Sequence, residues 1–132
     1  MYLIDTNIWL ERMLDQEKSK EVGEFLDKIP SSQLFMTDFS LHSIGVICHR
    51  LKKQRDFLSF VQDVFIDGAV GVISLEPENM KLLVAAIDNF GLDFDDAYQY
   101  VAAEIYDMVL VSFDKDFERT NRGRSVPTDI MS

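Results

Sequence analysis

Met1-Tyr2-Leu3-Ile4-Asp5-Thr6-Asn7 is a short apolar run that stops on three polar residues. It reads as a buried strand ending in a polar turn, with a helix to follow. The same grammar recurs along the chain. Leu34-Phe35-Met36-Thr37 is a second short run, ahead of Asp38. Val70–Leu75 is a third and β-branched one, and Met108–Ser112 is a fourth, ahead of Phe113-Asp114-Lys115-Asp116-Phe117. Between them lie stretches of helical spacing. Ser19–Ile29 carries Val22, Phe25, Leu26 and Ile29, and Pro30-Ser31-Ser32 closes it. Asp38 or Ser40 is expected to cap a helix with Leu41, Ile44, Ile47, Cys48 and Leu51 on one face. Phe57, Phe60, Val61, Val64 and Phe65 mark another, closed by Asp67-Gly68. Pro77 suits the first turn of a helix reaching about Asn89, and Gly91 breaks it. Asp93–Tyr106 is expected to be helical with Ala97, Tyr100, Val101 and Ile105 inward, and a last short strand is expected near Ser125–Val126. Strands alternating with helices predict an α/β domain over residues 1–132, a central parallel sheet of about four to five strands flanked by helices.

The composition agrees. A chain of 132 residues with 47% hydrophobic and 27% charged residues is one globular domain, not a fibre or a disordered tail. Its apolar runs are far shorter than the roughly 20 residues of a membrane span, so no membrane association is expected. Met1–Asp5 has no basic region, so a secretory signal is not expected. Cys48 is the only cysteine, which suits a reducing cytoplasm and a small buried hydrophobe. With 13 basic against 23 acidic residues the net charge is −10, which excludes a nonspecific duplex-DNA coat. The basic residues cluster: Arg50, Lys52, Lys53 and Arg55 form one group, and Arg119, Arg122 and Arg124 a second.

In parallel α/β sheets the working site lies beyond the carboxyl ends of the strands. Asp5, Asp38 and Asp114 occupy three of those exits, and Asp93, Asp95 and Asp96 open the late helix. Each has an ordinary reading as a helix cap, a macrodipole partner or a turn former. Convergence would change that reading. Two carboxylates about 4 Å apart repel by roughly 4 kcal/mol at an effective dielectric near 20, so a cluster needs protons or a cation. All-oxygen ligation suits Mg²⁺ or Mn²⁺, and such an ion suits phosphodiester hydrolysis.

The sequence resembles the PIN-domain ribonucleases, among them the small VapC-type toxins. The resemblance rests on Leu3-Ile4-Asp5-Thr6-Asn7, on Asp93-Phe94-Asp95-Asp96-Ala97 and on Leu110–Phe117, in that order and nearly spanning the chain. It implies a Mg²⁺ or Mn²⁺ site, cleavage of single-stranded RNA, an antitoxin partner and a homodimer, with the helices around Phe57–Phe65 or Val22–Ile29 expected at its interface. Asp5 and Asp96 match the firmest metal ligands, Asp114 or Asp116 the fourth acid, and Asn7 and Ser112 the supporting polar residues. Ser43 falls where the family has a Glu, and Asp38 or His42 is the nearest substitute; His49 lies too far along the helix to pair with His42 as a metal site. Arg50, Lys52, Lys53 and Arg55 are expected RNA-backbone contacts. Trp9, Phe25, Phe57, Phe60 and Phe65 read as core or dimer interface before base-stacking platforms. Two other readings stand beside this one. The first is a PIN-fold RNA-binding or interaction module with little nuclease activity. The second is a phospho-acceptor domain using Asp5, although Asp5-Thr6-Asn7 has no second Asp two residues on.

Overall fold

The computed structural model describes residues 1–131. Four short strands, β1 (Tyr2–Ile4), β2 (Leu34–Thr37), β3 (Gly71–Ile73) and β4 (Val109–Val111), form one sheet. Its order is β3-β2-β1-β4 and every pairing is parallel. Seven α-helices accompany it among the described residues: α1 (Thr6–Met13), α2 (Ser19–Lys28), α3 (Asp38–Arg50), α4 (Gln54–Val61), α5 (Met80–Phe90), α6 (Phe94–Tyr106) and α7 (Pro127–Met131).

Parallel strands are covered on both faces, so neighbouring residues along a strand enter different cores. Leu3 and Leu110 join Leu83, Ala97, Val101 and Phe117 on one side. Ile4 and Val111 join Ile8, Trp9, Phe25 and Ile44 on the other. Gly91 stops α5 in the left-handed conformation at φ 64°, where a side chain is strained.

Some expectations are corrected. Thr37, not Asp38 or Ser40, caps α3, its hydroxyl oxygen accepting from the Ser40 amide at 3.0 Å. Ile105 is 40% exposed rather than inward. Ser125 and Val126 form no strand; Ser125 makes an isolated bridge to Val111, and Pro127, which has no N–H, begins α7. The helix holding Phe57 starts at Gln54, and a π-helical turn, Gln62–Ile66, continues it.

The strand order reverses at β1. From β1 the chain steps outward through β2 to β3, then crosses back to β4 on the other side of β1. The crevice that opens at such a reversal, outside the carboxyl ends of β1 and β4, is where open α/β sheets hold ligands.

Candidate metal centre

That crevice is acidic. A pocket of about 300 Å³ there is walled by Asp5, Asp96 and Asp114, with Asn7, Ser43 and Asp93 beside them. Asp5 caps α1 directly after β1, its Oδ1 accepting from the Thr6 amide at 2.8 Å. Asp114 follows β4 and starts a 3₁₀ turn, its Oδ1 accepting from the Asp116 amide at 2.8 Å. Asp96 lies in the first turn of α6, where the helix dipole favours a negative charge, and Asp93 caps that helix by accepting from the Asp96 amide at 2.8 Å. One carboxylate oxygen each from Asp96, Asp114 and Asp116 lie within 4.8 Å of one another.

Asp5 is the buried anchor. Its Oδ1 also accepts from Gln99 Nε2 at 2.9 Å, and its Oδ2 accepts from the Ser112 hydroxyl at 2.6 Å. These bonds use three lone pairs, so Asp5 has one left, on Oδ2, and can offer a cation a single bond. The same engagement fits a fixed ligand better than a phospho-accepting nucleophile. Ser112 Oγ accepts in turn from Asn7 Nδ2 at 3.2 Å and from the Asp114 amide at 3.0 Å, while Asn7 Oδ1 accepts from the Phe113 amide.

The charges are held uphill. Burial pushes the Asp5 carboxyl above its ordinary range, against hydrogen bonds from Gln99, Ser112 and Thr6 that pull it down. Asp96 is pushed up to about 8, first by burial and then by the charges of Asp114, Asp93 and Asp5. A proton therefore stays on Asp96 near neutral pH. A hard divalent cation would relieve the same repulsion, and an all-carboxylate oxygen set is what such a cation takes.

Gln99 was not singled out by sequence reasoning, and it joins both sides of the crevice. It is 2% exposed, and its Nε2 also donates to Ser40 Oγ at 2.7 Å, while its Oε1 accepts from the Thr37 hydroxyl at 2.7 Å. Thr6 extends the chain of bonds to Ser40 at 2.8 Å. An ionised carboxylate only accepts, so the amide must turn its nitrogen to Asp5. The one signal in the sequence is a polar residue three positions after Asp96, set against the buried Ala97, Tyr100 and Val101.

Of the remaining sequence candidates only Asp116 joins the acids, and the others are dispersed. Asp38 is exposed, is not in the pocket wall, and its Oδ1 accepts from the Tyr98 hydroxyl at 2.8 Å. Asp116 pairs with Arg119 at 3.4 Å. Arg50, Lys52, Lys53 and Arg55 are exposed at the end of α3 and the start of α4, outside the pocket wall. His42 and His49 rim a separate apolar groove with Leu41, Val46 and Phe57. Phe60 meets Trp9 and Phe65 edge-to-face in the second core, with ring centroids 5.5 and 5.9 Å apart. Val22, Phe25 and Phe60 are buried, whereas Leu58 on α4 and Ile66 on its π-helical turn are exposed.

The PIN-domain family model matches residues 2–123. The chain is a PIN-domain protein. No curated protein matches it by sequence. Solved structures share the PIN fold at low identity. A chain of a toxin–antitoxin complex from Klebsiella pneumoniae superposes with a TM-score of 0.76 at 18% identity, covering 96% of this chain and 98% of that one. The Mycobacterium tuberculosis toxin VapC20, a sarcin–ricin loop cleaving toxin, gives 0.80 at 13% identity, covering 96% of this chain and 100% of that one. FitAcB from Neisseria gonorrhoeae gives 0.75 at 16%, covering 97% and 99%. The PIN fold expected from the sequence is thus present, and no helix among the described residues is long and apolar enough to cross a membrane.

Proposed function

We propose that this PIN-domain protein is a divalent-metal-dependent endoribonuclease acting on single-stranded RNA, the toxin of a toxin–antitoxin pair in the cytoplasm. The observation that carries the reading is the group of carboxylate oxygens of Asp96, Asp114 and Asp116 within 4.8 Å of one another, opening on a pocket that Asp5 also lines. Asp96 and Asp114 would hold Mg²⁺ or Mn²⁺, Asp5 would add its free Oδ2 lone pair, and Asp116 would complete the acidic set. A bound ion lowers the pKa of its water and offsets charge on the phosphoryl oxygens. The chain's own work is orientation. Ser112 and Gln99 fix the plane of the Asp5 carboxylate, Asn7 fixes Ser112, and Asp93 holds the first turn of α6 so that Asp96 faces Asp114. The titration of Asp96 couples this site to pH, because its proton must leave before the oxygen becomes a ligand. Arg50, Lys52, Lys53 and Arg55 are proposed as contacts to the RNA backbone beyond the pocket.

Asp96→Asn tests the reading, since it keeps the shape and removes a charged ligand. Cleavage of single-stranded RNA and Mn²⁺ binding, followed by calorimetry, should both disappear. Wild-type protein that neither binds Mn²⁺ nor cleaves RNA would end the proposal. Ser43, which lines the pocket with a hydroxyl where the family has a carboxylate, favours a second reading, a PIN-fold RNA-binding module with weak nuclease activity. RNA binding without metal-dependent cleavage would select it. The partner is proposed by analogy with the toxin–antitoxin complexes, and a small DNA-binding protein encoded by the adjoining reading frame would support it. A homodimer in sedimentation at micromolar concentration is the expected assembly.

A further inference from the structure

The chain has ten phenylalanines. Three pack with the first core and five with the second. Phe39 and Phe94 pack with neither; Phe39 lines the acidic crevice, and Phe94 lies in the chain between Asp93 and Asp95, which also line it. Phe39 belongs to the first turn of α3 and forms part of the pocket wall beside Ser43 and Asp96. Phe94 follows the cap Asp93 at the start of α6, directly before Asp95 and Asp96, and is 56% exposed. The Phe39 ring is braced by a neighbour. Tyr98 lies against it at 5.9 Å between centroids and 36° between planes. The Tyr98 hydroxyl is fixed twice, donating to Asp38 Oδ1 at 2.8 Å and accepting from the Leu75 amide at 3.0 Å. Asp38 thus serves the ring and not the carboxylate cluster.

Within the acidic pocket, whose wall has no basic side chain, phosphates have little to attract them apart from a bound cation. Base stacking needs no net charge, tolerates any sequence, and works best on a ring already held in place. We propose that Phe39, with Phe94 as a second face, is the platform on which bases of a single strand stack where its backbone crosses the acidic pocket. This inference rests on the nuclease reading above and assigns that site its base contacts.

The experiment compares two fluorescent oligoribonucleotides of equal length and charge, one of uridine and one of 5,6-dihydrouridine, whose ring is neither planar nor aromatic. Affinity is read by anisotropy with Ca²⁺ in place of Mg²⁺ or Mn²⁺, and cleavage is assayed separately with Mn²⁺. Wild-type protein should prefer the uridine strand. Phe39→Ala should weaken binding of that strand by about five- to a hundredfold and abolish the preference. Phe94→Ala should act in the same direction, and Phe39→Trp should restore both affinity and preference. Phe39→Leu keeps the apolar bulk without a π face and should behave as Phe39→Ala. Far-UV circular dichroism confirms that each variant is folded, as expected for rings outside both cores. If wild type cleaves RNA while Phe39→Ala and Phe94→Ala bind it as tightly as wild type, the stacking platform is overturned, the nuclease reading stands, and the rings are left to a protein partner. If Phe39→Leu matches wild type, stacking is likewise overturned. If wild type neither binds nor cleaves either strand, the nuclease reading fails and this inference falls with it.

Discussion

Gln99 faces two neighbours of opposite demand. Its amide nitrogen serves an acceptor-only carboxylate, and its oxygen takes the proton of Thr37. Gln99→Met keeps the length and removes these bonds together with the one to Ser40. It should cost about 1–3 kcal/mol in urea unfolding, the usual range for buried groups left unpaired. It should also weaken Mn²⁺ binding by about ten- to a hundredfold, since partners that orient a ligand carry that much. A variant that loses stability but keeps wild-type Mn²⁺ affinity would show that Gln99 is only packing. Ser43→Glu is the opposite test. A carboxylate reaching into the pocket from α3 should raise Mn²⁺ affinity severalfold and speed RNA cleavage; no change in either would mean that position 43 is too far from the acids. Asp5 was legible in the sequence because a strand exit announces itself, and Asn7 and Ser112 were singled out only through the family resemblance. Gln99 was not, because a glutamine on a helix gives no sign of which neighbour its amide will meet.

The first turn of α6 has one residue with two effects. Asp93 caps the helix, yet its charge raises the Asp96 carboxyl. Asp93→Ala should cost about 1 kcal/mol at pH 5, where Asp96 is protonated and only the cap is lost. At pH 9 the cost should be smaller, because removing Asp93 then also relieves repulsion. Asp93→Asn keeps a good cap without the charge, so the titration of Asp96, followed by carboxyl NMR, should move down from about 8. An unmoved titration would show that Asp93 contributes little to the shift. Most elements were readable in this way. Leu34–Thr37 is a strand at the limits expected from its apolar run, and Gly91 stops α5. The start of α4 was hidden because Lys53 provides no side-chain cap, and Ser125–Val126 failed as a strand because Pro127 ends any ladder there.

For the whole molecule, the raised carboxyls set the sign of the pH response. The native state keeps a proton on Asp96 up to about pH 8, whereas the unfolded chain releases it near the ordinary aspartate value of 3.8. Between those limits the native state binds more protons, so stability falls as pH rises and levels off above about 8. The metal-free protein should therefore melt at a lower temperature at pH 8 than at pH 5.5. Saturating Mn²⁺ should flatten or reverse that slope, because the ion takes the place of the proton. A melting temperature that rises with pH without metal would contradict the assignment. The sheet order carries a consequence of another kind. During translation β1 is made before the other three strands, but its neighbour β4 comes after β2 and β3, and the groups that hold Asp5 come far behind it. Gln99 lies 94 residues after Asp5 and Ser112 lies 107 after it. At about 5–20 residues per second, that separation is a delay of roughly 5–20 s on the ribosome. Throughout that interval the nascent chain has no acidic pocket, so a chain released early carries none into the cell.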